Sequence, residues 1–361
     1  MNVIIAGGGT GGHLFPAVAV GEALLQFDPA IHVTYVGASN GLEARWLPAH
    51  HKPHYLLQVR GWTGKGIMTR LRAMREFVAA SNRARALLDR LRPALVLGAG
   101  GYASAPVALA AILKRIPLVL MEQNTRPGLA NRMLYRFARK ICVGFDETAC
   151  AFPASKVAVT GNPIRFTTSP APPRLNGETV QILVLGGSSG AHRLNLGVLK
   201  AFELLTKNGI NIDLTHQTGE ADVEMVAEGY SRLGRRASVV AFIDDMARAL
   251  ASADLVIARA GAMTVSELAL AGLPALLVPY PFHRDRQQEL NARVLADRSA
   301  ACIVPDDEHL GENLANLLHE LAGDKAKREA MAARAKTAAK PHAAEAIARL
   351  CMGITRNEAA T

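Results

Sequence analysis

The sequence predicts an α/β protein made of two Rossmann-like, doubly wound halves, and three observations predict it. Short apolar runs bounded by glycine or proline alternate with longer helical patterns along the 361 residues. In each half the first such run opens at once into a glycine-rich loop, Gly7-Gly8-Gly9-Thr10-Gly11-Gly12-His13 and Gly186-Gly187-Ser188-Ser189-Gly190-Ala191-His192. Between the halves, Gly161-Asn162-Pro163 leads into Ser169-Pro170-Ala171-Pro172-Pro173, where proline stiffens the chain and removes backbone donors.

Taken in order, Val3–Ala6, Val33–Val36, Leu95–Leu97, Leu118–Met121, Ile141–Val143 and Val157–Val159 are the expected strands of the first half. Ile182–Leu185, Ile212–Leu214, Val239–Phe242, Leu255–Ala258 and Ala275–Val278 are those of the second. Their hydrophobicity is continuous rather than alternating, as it must be for parallel strands covered on both faces by crossover helices. From Lys325 to Ile354 the chain is rich in Ala, Lys, Arg and Glu and predicts two helices broken at Pro341.

Composition narrows the class. Half of the residues are hydrophobic and 20% are charged, which excludes a disordered chain, and the 5% aromatic content argues against base stacking as the mode of action. The 41 Lys+Arg against 31 Asp+Glu leave a net +10, so nucleic acid, anionic lipid and phosphate-bearing substrates all remain as partners on charge alone. Cys142, Cys150, Cys302 and Cys351 form no C-x-x-C pair, which suggests neither a disulfide framework nor a zinc site; reduced core residues of a cytosolic protein are expected. The apolar run after Met1 is too short for a signal peptide, and no stretch reaches the roughly 18 apolar residues of a membrane span.

Gly7-x-Gly9-x-x-Gly12 matches the dinucleotide fingerprint formally, but the second strand ends Tyr35-Val36-Gly37-Ala38-Ser39, without the carboxylate that would hold a ribose. A phosphate- or oxygen-binding loop fits better than a nicotinamide site. His13, at or just inside the N-terminus of the first helix, can take a proton from a hydroxyl nucleophile, and the helix dipole favours its neutral form; His192 holds the equivalent place in the second half. Thr264-x-x-Glu267 reads either as a capping box or, at the carboxyl end of a strand, as a site where Glu267 accepts hydrogen bonds from two ribose hydroxyls. His283-Arg284-Asp285-Arg286-Gln287-Gln288 reads either as a solvated helix start capped by Asp285 or as a sugar-hydroxyl site, since an amide offers both donor and acceptor. Glu122-Gln123-Asn124 offers the same chemistry in the first half. No Asp-x-Asp occurs, so a metal clamp on a diphosphate has no obvious ligands, and helix N-termini and arginine must supply the positive field.

The segments Gly8-Gly9-Thr10-Gly11-Gly12-His13, Gly100-Gly101-Tyr102, Glu122-Gln123-Asn124, Gly161-Asn162-Pro163-Ile164-Arg165, Gly186 to Ala191, Phe242-Ile243-Asp244-Asp245-Met246, Gly261 to Glu267 and Asp285-Arg286-Gln287-Gln288 follow one another along almost the whole chain. Together they resemble the MurG family of bacterial peptidoglycan glycosyltransferases. The resemblance implies a GT-B fold, two Rossmann-like domains whose parallel sheets face each other across a cleft. It implies residues 1–162 as acceptor and membrane-docking domain, 163–340 as UDP-GlcNAc-binding domain, and 341–361 as a C-terminal helix packing back on the first. The activity implied is transfer of GlcNAc from UDP-GlcNAc to the C4 hydroxyl of MurNAc in lipid I, undecaprenyl-pyrophosphoryl-MurNAc-pentapeptide, giving lipid II with inversion.

By the family's pattern His13 is the candidate general base. Ile243 would contact uracil, Glu267 the ribose, Ser188 and the backbone of Ala262, Met263, Thr264, Val265 and Ser266 the diphosphate, and Gln287 and Gln288 the GlcNAc hydroxyls. Thr10, Gly11, Gly12 and Asn124 would close on the donor, with Arg165 near the hinge. No cofactor and no metal ligand is expected. Two departures from the pattern are His192 after Gly190-Ala191, where relatives often carry arginine, and Thr125-Arg126-Pro127 after Asn124. A UDP-GlcNAc 2-epimerase, another GT-B sugar-nucleotide enzyme, and a non-catalytic nucleotide-binding membrane module are the alternatives.

Residues 60–92 carry nine basic side chains against Glu76 and Asp89, a net +7 of the total +10, interleaved with Trp62, Ile67, Met68, Leu71, Met74, Phe77 and Val78. An amphipathic helix with its apolar face in the core accounts for the pattern, and so does a patch seated on anionic lipid. With a lipid-linked acceptor the expectation is a peripheral protein on the cytoplasmic face of the inner membrane. Nucleic acid then drops out as a partner, and other cell-wall synthesis proteins are admitted as further ones.

Overall fold

Val3, Ile4 and Ile5 are all β-branched and 1% exposed each, and they form the centre of the first strand because both of its faces are covered. The computed structural model describes residues 1–59, 67–164, 179–187, 190–205, 211–282 and 285–359, the side chains of 67–71 and 357–359 excepted. The chain divides into two units, Met1–Arg165 with Lys340–Thr361, and Phe166–Ala339.

Unit 1 runs β1 (Asn2–Ala6), α1 (Gly11–Phe27), β2 (His32–Ala38), α2 (Glu43–Ala49), β3 (His54–Leu57), α3 (Ile67–Leu91), β4 (Leu95–Gly98), α4 (Ser104–Leu113), β5 (Leu118–Glu122), α5 (Leu129–Leu134), β6 (Lys140–Val143) and β7 (Val157–Val159). The strands form one seven-stranded parallel sheet in the order β3-β2-β1-β4-β5-β6-β7. Alternate residues serve its two faces. Ile4, Val36, Val96, Leu118 and Ile141 pack under α3 and α4, whereas Val3, Ile5, Val33, Leu97 and Met121 pack under α1.

Unit 2 runs β8 (Val180–Leu185), α6 (His192–Leu205), β9 (Ile212–Gln217), α7 (Val223–Arg232), β10 (Ala237–Val240), α8 (Met246–Ser252), β11 (Leu255–Ala258), α9 (Ala262–Ala271), β12 (Ala275–Leu277), α10 (Gln287–Ala296), β13 (Ala301–Ile303), α11 (Leu310–Gly323) and α12 (Lys325–Lys336). Its sheet is also parallel, in the order β10-β9-β8-β11-β12-β13. The helical pattern then breaks at Pro341, and α13 (Ala343–Ala359) returns to unit 1, where Ile347, Ala348 and Cys351 join α1 in the core.

The expected strands are present, with differences at the margins. β3 and β13 lie at sheet edges, where one neighbour is enough to hold a strand and little apolar sequence is needed, so neither stood out from composition. β10 ends at Val240 rather than Phe242, whose ring is 45% exposed and has left the sheet. The cysteines are free as expected, but only Cys142 and Cys351 are core residues; Cys150 is exposed in the 3-10 turn Asp146–Ala151 and Cys302 is half-buried. Burial pushes the Cys142 thiol up to about 12, so it is an inert packing group. Trp62 and the side chains of Ile67, Met68 and Leu71 lie outside the described residues.

Candidate active site

In each sheet the strand order reverses beside the first strand, between β1 and β4 in unit 1 and between β8 and β11 in unit 2. In a doubly wound sheet this switch point, at the carboxyl ends of the strands, leaves a crevice for ligands. Both glycine loops emerge there.

In unit 1 the crevice is built by close backbone approach. A Cβ on Gly101 would lie 2.1 Å from the Gly8 carbonyl oxygen, and Gly101 itself has φ +76°, so only glycine fits. The loop after β1 is pinned from below by Glu43, which is fully buried; its carboxylate accepts the Gly9 N–H at 2.9 Å and the Ala38 N–H at 2.7 Å. Thr10 is the N-cap residue of α1, yet its side chain makes no capping bond and is exposed. The first-turn N–H groups of Gly11 and Gly12 therefore keep the character of an anion site. His13 and Leu14 donate their N–H to the Thr10 carbonyl at 3.2 and 3.1 Å.

His13 stands over the switch point against the loop after β4. Positions for a Cβ on Gly100 and on Gly101 lie 2.7 Å from its Nδ1 and 3.1 Å from its Cδ2. Burial lowers its pKa below the usual imidazole value and outweighs the opposing field of the Glu122 and Glu43 carboxylates, so the ring is neutral near pH 7 and able to accept a proton.

Asn124 follows β5 and is held by Glu122, whose Oε1 accepts from its backbone N–H at 3.1 Å and its Nδ2 at 3.3 Å. Glu122 also accepts from Gly128 N and Asn131 Nδ2, both at 2.9 Å. Here the structure corrects the expectation that Glu122-Gln123-Asn124 acts as a sugar-binding set. Glu122 and Gln123 are 3% and 2% exposed and bond internally, leaving Asn124 as the member at the surface of the crevice.

In unit 2 the helix α9 begins one turn earlier than a capping box requires. Its N-cap residue is Gly261, without a side-chain cap, so Thr264 and Glu267 lie inside the helix and the capping-box reading is overturned. The first-turn donors are the N–H groups of Ala262, Met263 and Thr264. Val265 donates its N–H to the Gly261 carbonyl at 3.0 Å and its side chain is buried. Ser266 directs its Oγ back onto the Ala262 carbonyl at 2.9 Å. Glu267 is half-buried on the helix's second turn.

The helix α10 opens with Gln287 and Gln288, and its N-cap residue is Arg286 in the left-handed region, φ +51°, rather than Asp285. Gln288 Oε1 accepts the Tyr280 N–H at 2.9 Å, which leaves its NH2 group for a hydroxyl. Asn291, 1% exposed, donates to the Ala260 carbonyl at 3.3 Å and ties α10 to the loop before α9. Ile243 is half-buried in the loop between β10 and α8, where Asp245 caps α8 by accepting the Arg248 N–H at 2.9 Å. Arg165 and Ser188 lie outside the described residues.

Several site-building residues were not singled out from the sequence. Gln217 accepts the Gly187 N–H and donates to the Gly187 and Ala241 carbonyls, at 3.1, 3.1 and 2.9 Å, clipping the loop after β8 to the segment before Ile243. Buried Asp306 pairs with Arg193 at 2.7 Å and Arg259 at 2.8 Å. Arg193 thus supplies a cation one residue after His192, which itself pairs with Asp222 at 3.0 Å. An amide at a strand's last position and an acidic residue after the last strand were the available signals; neither belongs to a local motif.

Residues 3–143 match the N-terminal domain and residues 181–347 the C-terminal domain of glycosyltransferase family 28. The chain is 42% identical, over 98% of its length and 99% of the relative's, to the UDP-N-acetylglucosamine--N-acetylmuramyl-(pentapeptide) pyrophosphoryl-undecaprenol N-acetylglucosamine transferase of Syntrophotalea carbinolica. It is 41% identical to the protein of the same name from Geobacter sulfurreducens, covering 99% and 100%. The crystal structure of Acinetobacter baumannii MurG superimposes with a TM-score of 0.79 at 33% identity, covering 98% and 99% of the two chains. The chain belongs to the MurG family. By contrast, a putative UDP-N-acetylglucosamine 2-epimerase from Listeria monocytogenes, at 15% identity and TM-score 0.67 over 96% and 94% of the chains, shares the fold alone with this MurG-family protein.

Proposed function

We propose that the protein transfers GlcNAc from UDP-GlcNAc to the C4 hydroxyl of MurNAc in lipid I, forming lipid II with inversion at the anomeric carbon. What carries the reading is the 42% identity to an enzyme of that name along essentially its whole length. Unit 2 holds the donor: the N-terminus of α9 faces the diphosphate, Glu267 accepts from the ribose hydroxyls, Ile243 packs on uracil, and Gln287 and Gln288 bond the sugar. Unit 1 supplies the base. His13 Nε2 takes the proton of the C4 hydroxyl as that oxygen attacks the anomeric carbon, and the bond to the UDP oxygen breaks. Negative charge growing on the leaving diphosphate is met by the helix N–H groups, a preorganised field worth several kcal/mol in such sites.

The lipid acceptor also accounts for six of the exposed apolar side chains of unit 1. Met74 and Val78 on α3, Leu113 at the end of α4, and Leu129, Met133 and Phe137 on and after α5 are 46, 51, 63, 62, 65 and 61% exposed. Arg72, Arg75, Arg132 and Arg136 are exposed among them. The later part of α3 keeps Ala80, Ala84, Leu87 and Leu88 in the core, while Met74 and Val78 on its earlier part stay exposed. Exposed apolar and arginine side chains on α3 and on and after α5 suit a peripheral seat on an anionic bilayer, and no described helix is long and apolar enough to cross one. The direct test is incubation with labelled UDP-GlcNAc and a lipid I analogue. Labelled lipid II is expected. UDP-ManNAc formed without acceptor, or no product from folded protein that binds UDP, would refute the proposal.

A further inference from the structure

Among the described residues of unit 1, three buried side-chain polar atoms, counting the Tyr35 hydroxyl, lack a hydrogen bond of regular geometry, and two of them face the same point. One is Nδ1 of His13 and the other is Oε1 of Gln123. A Cβ on Gly100 would lie 2.7 Å from the first and 3.2 Å from the second, so any side chain at position 100 would occupy the space between them. Gly100 has φ +91°, a conformation that suits glycine.

The Gln123 amide cannot turn over. Its Nε2 donates to the Ala99 carbonyl at 2.8 Å, and a flip would set the amide oxygen against that carbonyl, two acceptors facing each other. The residue is also anchored through its own carbonyl, which accepts Asn162 Nδ2 at 3.0 Å. Gln123 thus presents an acceptor, and only an acceptor, toward the imidazole. The Ala99 carbonyl, which already accepts from Gln123 Nε2, is the second acceptor near the ring. Both demand a proton on Nδ1, and an unpaired buried nitrogen beside an unpaired buried oxygen costs about 1–3 kcal/mol per group.

We infer that Gln123 is a positioning residue: it accepts the Nδ1–H of His13, fixes the ring in the Nδ1–H tautomer, and so leaves the Nε2 lone pair for the acceptor hydroxyl. The inference rests on the proposed role of His13 as base and adds the group that makes it one. When the C4 proton arrives at Nε2 the ring becomes an imidazolium, and the Gln123 oxygen then bonds a stronger donor. Glu122 and Glu43 are the charged groups that act on the ring and favour that form too, but both are committed to backbone N–H groups of the loops.

The test begins on the unmodified protein. Ring 15N shifts of selectively labelled histidine, with His13 assigned by its loss in His13→Ala, should show an Nδ1–H, Nε2-unprotonated ring near pH 7.5; the opposite tautomer overturns the inference whatever the kinetics. In Gln123→Met, kcat should fall at least tenfold with KM for UDP-GlcNAc within twofold, the Ala99 carbonyl sustaining the remainder. A change in kcat below twofold overturns it. Gln123→Glu keeps an acceptor and adds charge, so kcat should be partly rescued relative to Gln123→Met and the acidic limb of its pH profile should move up by a unit or more; an unmoved limb counts against the assignment. Near-normal turnover in His13→Ala would instead refute the base role itself, while the tautomer measurement would still decide the Gln123 contact.

Discussion

Replacing Glu43 by Gln tests the physical basis of the unit 1 crevice. The carboxylate is fully buried and accepts two backbone N–H groups, those of Gly9 and Ala38, one in the glycine loop after β1 and one at the end of β2. A hydrogen bond to a charged group contributes about 1.5–3 kcal/mol. The carboxamide keeps one acceptor oxygen and must turn an NH2 group toward the other donor, so one such bond is lost and one buried N–H is stranded, for a total of about 2–4 kcal/mol. A Cβ on Gly8 or on Gly41 would lie 2.1 or 2.4 Å from Glu43 Oε1, so the surroundings of this carboxylate give it little room to rearrange. Urea unfolding of Glu43→Gln should show that loss in ΔG at unchanged m-value. The turnover number should fall while the UDP affinity of unit 2 stays constant. A stability change below about 0.5 kcal/mol would mean that the loop is held by packing alone, against the hydrogen-bond reasoning.

Further outcomes follow from the same geometry. Glu267→Ala should weaken uridine nucleotides by about 1–3 kcal/mol in calorimetric titration; unchanged affinity would remove it from the ribose site. His216 is buried between Asn195 Oδ1 and the Tyr230 hydroxyl, and burial takes its pKa down to about 3. The unfolded chain therefore binds this proton first, so the stabilisation is complete above about pH 6.5 and is lost by up to about 1.4 kcal/mol per pH unit as pH falls toward 3. Denaturation of wild type and His216→Gln at pH 7 and 5 should show the steeper slope in wild type; parallel slopes would contradict it. Joint replacement of Arg72, Arg75, Arg132 and Arg136 by Gln should reduce sedimentation with anionic liposomes at low salt by well over tenfold, at about 1 kcal/mol per basic residue near the surface. Unchanged binding would remove the membrane seat.

The sheets were legible because buried parallel strands are written as unbroken apolar runs: Val3–Ala6, Leu95–Leu97 and Leu255–Ala258 leave little else to be. The glycine loops were legible for a related reason, since backbone approaches such as Gly101 on Gly8 admit no side chain. Helix starts were harder. Thr264 and Asp285 have the chemistry of caps, but the strand ends at Ala258 and the loop packing through Asn291 decide that Gly261 and Arg286 occupy the N-cap positions. Glu43, Gln217 and Asp306 help hold the site together through partners 24 to 113 positions away, Glu43 with the nearby Ala38 besides, and leave no local pattern to find; Gln123 stood in a visible motif, but its partner Ala99 is 24 positions away.

The division of labour proposed here, donor held by unit 2 and proton taken by His13 of unit 1, is tested most directly by measuring kcat and the UDP-GlcNAc dissociation constant of His13→Ala side by side. Loss of a general base predicts a fall in kcat of about 10²- to 10⁴-fold with the dissociation constant within twofold of wild type. A collapse of UDP-GlcNAc binding with kcat retained at saturation would make His13 a donor-binding residue and contradict the account.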